Sequence, residues 1–134
     1  MSQSPTLEFR SSSFPVIPGE DKETNPGIFG KSLATWLAQH IKARGFETGE
    51  IIAEDFGWCV PVRSQAHHLY IACSSEDNHP QSWRVFVFAE GGLLTGLFGR
   101  DKSLESVGAL YWALKELLAS STEIQDLHVE EDDS

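Results

Sequence analysis

Basic side chains are scarce in this sequence: ten Lys and Arg stand against twenty Asp and Glu, a formal charge of −10. A surface that tracks phosphate backbones needs clustered Lys and Arg, so no nucleic-acid partner is expected. Long apolar runs are missing as well. No stretch of about 18 apolar residues occurs, so no helical membrane span is expected. The opening MSQSPTLEFRSSS lacks the basic patch and apolar run of a secretory signal, which points to the cytoplasm. Cysteine is limited to Cys59 and Cys73, which fits a reducing compartment. Neither belongs to a tight C-x₂₋₄-C pair, so no metal and no cofactor is expected.

The acidity is unevenly placed. Residues 1–25 and 26–122 each carry −2, whereas residues 123–134 carry −6 and no base. The expectation is a single α+β domain over 1–122, frayed at 1–5, with an acidic and solvated C-terminal tail over 123–134.

Within the domain, TLEFRSSSF alternates weakly and reads as a poor strand, and PVIPGEDKETNPG as a loop. Asn25-Pro26 suits a helix start, and Phe29, Leu33, Leu37 and Ile41 follow at spacings of four. Gly45 suits the left-handed residue after the helix, with Phe46 closing back, so a helix over about 26–44 is predicted. A short extended piece at Ile51–Ala53 is followed by three strand-like runs, WCVPVR, HLYIACS and SWRVFVFAE. A hairpin centred on Ala66 would put Trp58, Val60 and Val62 on one face with Tyr70 and Ala72, and Cys59 and Cys73 on the other. The third run is apolar on both faces and calls for cover on both. GGLLTGLFGRDKS reads as a glycine-punctuated connection with room for a fourth strand. A second helix, capped by Ser103 or Asp101, then carries Leu104, Val107, Leu110, Tyr111, Leu114, Leu117 and Leu118 on one stripe to about Ala119. The order weak β-α-β-β-β-α implies an α+β fold, an antiparallel sheet of three to five strands packed with two helices.

Few motifs carry chemistry. NPGIFGKS ends like a phosphate-binding loop, but Asn25 replaces its first glycine and the acidic loop PGEDKET replaces the buried strand, so it reads as a helix start. Cys59 and Cys73 read as small core residues. His67-His68 and the SSEDNHPQ loop with His79 would make an acid–base or metal cluster only if the two loops converged, and turn composition accounts for them otherwise. The neighbouring acids Glu54-Asp55 and Glu76-Asp77 point apart on an extended chain, and no G-x-S-x-G elbow occurs. An enzyme is not expected. The four tryptophans, Trp36, Trp58, Trp83 and Trp112, read as core first, with Trp58 and Trp83 as candidates for a pocket or interface.

The pattern NPG-x-x-G-x-x-LA-x-WL, then RG, then EDFGWCVPV and a W-x-V-x-V strand, over residues 25–90, resembles small uncharacterised bacterial α+β proteins with an E-D-aromatic-G-W element, some of them similar to immunity proteins. That resemblance implies a non-enzymatic binding protein and transfers no catalytic residue. The helix–strands–helix order is also similar to double-stranded-RNA-binding domains, but SLESVGAL replaces the lysines those domains need. The binding residues expected from sequence are Glu54, Asp55, Glu76 and Asp77 with Trp58 or Trp83 as anchor, against a basic protein partner. A homodimer through the two-faced strand is a further expectation. The alternative is a small-molecule pocket between sheet and helices lined by Trp36, Trp58, Trp83 and Phe88.

Overall fold

A computed structural model describes residues 3–64, 67–76, 79–90 and 100–130, with backbone only at 79–80 and 100–104. The described elements are β1 (Leu7–Arg10), α1 (Lys31–Ala43), β2 (Glu47–Thr48), β3 (Ile52–Glu54), β4 (Gly57–Ser64), β5 (His67–Glu76), β6 (His79–Ala89), α2 (Arg100–Ser120) and β7 (Gln125–Val129). The fold is α+β. All strand pairs are antiparallel, in the order β2-β4-β5-β6-β1-β7, with β3 beside β2 on the free side of β4. Among the described residues, seven strands thus replace the expected three to five. No helix among the described residues is long and apolar enough to cross a membrane.

Both described helices lie on one face of the sheet. α1 packs on β4 and β5, α2 on β5 and β6, and Arg44 Nη1 bonds Glu116 Oε1 at 2.8 Å between them. Leu33, Ala34, Leu37 and Ile41 of α1 meet Val107, Leu110, Leu114 and Leu118 of α2 and the inward residues of the strands in a single core. The end of α1 follows its sequence: Gly45 takes φ 97, and Phe46 N–H donates back to the carbonyl of Ile41.

The start of α1 does not. The helix begins at Lys31, not near Pro26, and Asn25 instead donates its side-chain amide to the Asp55 carbonyl. Its cap is the carboxylate of Glu20, only 2% exposed, ten residues upstream. Oε1 accepts from the N–H groups of Gly30 (2.8 Å) and Lys31 (3.0 Å), and Oε2 from Ile17 N–H (2.7 Å). A negative charge against the unpaired amides of a helix start is favourable on both hydrogen-bond and dipole grounds. The place a phosphate would take in a nucleotide-binding loop is filled by the protein's own carboxylate.

Register corrects the expected hairpin by one residue. Trp58 pairs with Cys73, Val60 with Ile71 and Val62 with Leu69, and the pairing runs down to Ser64 and His67. Leu69, Ile71 and Cys73 therefore join the valines beneath the helices, while Tyr70 and Ala72 turn to the other face with Cys59. Cys59 and Cys73 stand on opposite faces as free buried thiols.

The segment expected to be a wholly solvated tail contributes structure. Gln125–Val129 forms β7 on β1, with Leu7 opposite Val129 and Glu8 opposite His128. The expected helix caps Asp101 and Ser103 fall inside α2, whose first residue is Arg100. The glycine-rich connection before it, at 91–99, lies outside the described residues.

Candidate functional site

Side chains on the helix side of the sheet are committed to the core. Trp83 is 1% exposed and its indole N–H donates to the Ser11 carbonyl at 3.2 Å, while Trp58 is 3% exposed beneath the Lys31 ammonium. Neither is available as a surface anchor, which corrects that expectation. Trp36 is half-buried against Phe14 and His40, and Trp112 is exposed beside Lys115. The space between sheet and helices that the alternative assigned to a ligand is filled by packed side chains.

Among the described residues, no helix covers the opposite face. Alternation along the strands sends Phe86 and Phe88 of β6, Tyr70 of β5 and Cys59 of β4 to that side, and the β3–β4 turn adds Phe56. Tyr70 and Phe88 are cross-strand partners with near-parallel rings 5.2 Å apart, and Phe86 lies 5.9 Å from Phe88. Phe56 stands across Phe88 at 6.4 Å and 72°, and is 45% exposed. The turn that presents it depends on Gly57. That residue has φ 150, and a Cβ there would lie 2.2 Å from the Cys73 carbonyl oxygen.

Two hollows flank Phe56. The larger, about 630 Å³, is lined by Ser74, Ser75, Glu76, Arg84 and Phe86 of the sheet, with Glu130 at its rim. The Arg84 guanidinium sits there among carboxylates, with Nε 3.1 Å from Glu8 and 3.6 Å from Glu76, and Nη2 3.4 Å from Glu130. Burial opposes its charge, but Glu130, Glu8 and Glu76 outweigh that and hold its pKa above the usual arginine value. Next along, His128 Nε2 lies 2.9 Å from Glu8 and Nδ1 2.8 Å from the Asp126 carbonyl.

The smaller hollow, about 400 Å³, is bounded by Ile52, Glu54, Phe56, Tyr70, Phe88 and Glu90. The Tyr70 hydroxyl donates to Glu90 Oε1 at 2.7 Å. That bond, followed by burial and the nearby carboxylates, pushes the phenol up to about 12. Cys59 forms part of the lining, and burial followed by the Glu54 charge pushes its thiol up to about 12. It is therefore a protonated, poorly nucleophilic group at neutral pH.

The sequence-selected acids are distributed around this face. Glu54 borders the small hollow and Glu76 the large one, while Asp55 is exposed in the turn between β3 and β4. Asp77 lies outside the described residues. The histidine loops do not converge into a cluster of described side chains. His67 Nδ1 lies 3.0 Å from the buried Ser106 hydroxyl, His68 is exposed opposite Arg63, and no group of three metal-ligating side chains occurs among the described residues. Sequence reasoning missed Phe56, Tyr70, Phe86 and Glu90. The available signal was the two-faced apolar strand β6, whose outer face had to meet something. No known family model, curated protein or solved structure matches this chain.

Proposed function

We propose that this chain is a non-enzymatic protein-binding module, of the immunity or accessory type, that meets a basic protein partner on the face of its sheet opposite the helices. The observation that carries this reading is the row Phe56, Tyr70, Phe86 and Phe88, partly exposed on a face that no helix covers among the described residues and bordered by Glu54, Glu76 and Glu90. Aromatic side chains at the centre of a patch with charged groups at its rim are the usual anatomy of an interface. A face-to-face homodimer would set one acidic rim against another, so a basic partner is favoured over a second copy. Phe56 replaces Trp58 and Trp83 as the anchor.

The test is capture from a lysate with wild-type chain beside Phe56→Asp and Glu54→Gln/Glu90→Gln variants, followed by cross-link mapping on the captured protein. The expected result is a basic protein lost with either variant, retained less well as salt rises, and cross-linked to residues 52–56, 70 and 86–90. Capture that survives both variants, or cross-links on the helices, would overturn the proposal. A small ligand in the larger hollow is a second reading, favoured by its volume of about 630 Å³, within the usual range for ligand pockets. A thermal-shift screen in which no ligand class raises Tm would remove it.

A further inference from the structure

The two hollows beside Phe56 share a chemistry but differ in one component. In the larger, carboxylates surround a guanidinium that the chain itself supplies, Arg84, with Phe86 in the same wall. In the smaller, Glu54 and Glu90 stand beside Phe56, Tyr70 and Phe88, and no Lys or Arg lines it among the described residues. Its two negative charges face an aromatic corner: Phe88 and Tyr70 present near-parallel rings, and Phe56 closes the angle at 72°. An aromatic face attracts a cation through its quadrupole, and a neighbouring carboxylate adds charge-assisted hydrogen bonds.

We infer that the hollow between Phe56 and Phe88 receives an arginine side chain of the partner, its guanidinium lying on the aromatic corner and donating to Glu54 and Glu90. The inference rests on the binding-module reading above and specifies what the partner must present there. Three features select arginine among organic cations. Two separate carboxylates suit the donors of arginine, spread over three nitrogens in a planar fork, better than the three that radiate from the single nitrogen of lysine. A quaternary ammonium would use the rings but has no N–H for either carboxylate. The Tyr70 hydroxyl donates to Glu90 Oε1 and so orients that carboxylate, while no donor among the described residues bonds its second oxygen. A hollow of about 400 Å³ holds the guanidinium together with the methylenes behind it.

The experiment is a titration of the ¹⁵N-labelled full chain, followed by amide chemical shifts, with blocked single residues as probes: N-acetyl-arginine methylamide, its lysine counterpart, its trimethyl-lysine counterpart and its neutral citrulline counterpart. Arginine is expected to shift the amides of residues 52–56, 70 and 88–90 and to bind about tenfold more tightly than citrulline, with lysine between them. Glu54→Gln, at an exposed position that leaves the fold intact, and Phe88→Leu should each weaken arginine severalfold while spectra elsewhere stay unchanged. Citrulline binding as well as arginine, trimethyl-lysine binding better, or shifts centred on Arg84 and Glu130 would each overturn the assignment. If partner cross-links map to this face while blocked arginine leaves it unmoved, the arginine assignment falls and the binding-module reading stands. If both measurements fail, both fall.

Discussion

Removing the Glu20 carboxylate tests whether a side chain outside α1 governs how that helix starts. Glu20 is buried and accepts three backbone hydrogen bonds, from the Gly30 and Lys31 amides at the start of α1 and from Ile17. Hydrogen bonds to a charged acceptor contribute about 1.5–3 kcal/mol each when buried, and loss of an ordinary N-cap costs about 0.5–2 kcal/mol. The bonds share one carboxylate, and water partly replaces it, so they do not add. We expect Glu20→Ala to cost about 3 kcal/mol, a large share of the roughly 5–15 kcal/mol that holds a domain of this size. With a urea slope of about 2 kcal/mol/M, the unfolding midpoint should fall by about 1.5 M at unchanged slope. Glu20→Gln keeps one carbonyl oxygen for Gly30 and Lys31 but turns an NH₂ toward the Ile17 N–H, so about half that cost is expected. Native-state hydrogen exchange should accelerate at Ile17, Gly30 and Lys31 in both variants. A cost below about 1 kcal/mol for the alanine variant, or none for the glutamine variant, would refute the reasoning.

Two further perturbations probe the positioning of the open face. Gly57→Ala places a methyl group against the Cys73 carbonyl, where a Cβ would lie 2.2 Å away. A loss of about 3 kcal/mol in urea unfolding is expected, and a loss under about 1 kcal/mol would mean the β3–β4 turn relaxes freely. For pH, the Asp126 carbonyl and the Glu8 carboxylate raise the His128 pKa above its ordinary 6.5. A raised folded-state value stabilises the protonated form, so that contribution is complete below pH 6.5 and disappears as pH climbs through the raised value. Exchange protection of β7 in wild type relative to His128→Gln should therefore be greatest in mild acid and vanish in mild base. A difference that stays constant with pH would count against the pairing of His128 with Glu8.

The parts of this fold that were legible in the sequence are those set by local periodicity. The stripe Leu33, Leu37 and Ile41, the Gly45–Phe46 closure and the three runs that became β4, β5 and β6 are in place because hydrophobic spacing and turn chemistry act over a few residues. What escaped depends on contacts distant in sequence. Local capping rules inspect residues beside the helix start, whereas Glu20 reaches it from a 3₁₀ turn, Glu20–Lys22, ten residues away. The hairpin slip turns on one residue of loop length, and each register offered plausible apolar partners. β7 has the composition of a solvated tail and becomes a strand because β1 offers it an edge. At the candidate site, Glu54 and Glu76 were visible as charge, whereas Phe56 counted only as the aromatic of the E-D-aromatic-G-W element and not as a binding residue. Its role depends on a turn that lifts it over Phe88, and no spacing rule reports that.

The position of β1 bears on how the chain assembles. Leu7–Arg10 is hydrogen-bonded on one side to β6, where Leu7 faces Val85, and on the other to β7, where Leu7 faces Val129, so both partners are far off along the chain. As the polypeptide leaves the ribosome, its first strand has no partner until β6 emerges, and its second edge stays open until β7 follows. Closing such long loops is slow, and an unpaired strand edge is a template for pairing with other chains. Chains cut short before Gln125 would keep that edge exposed, so β7 acts as a lock on the free side of β1.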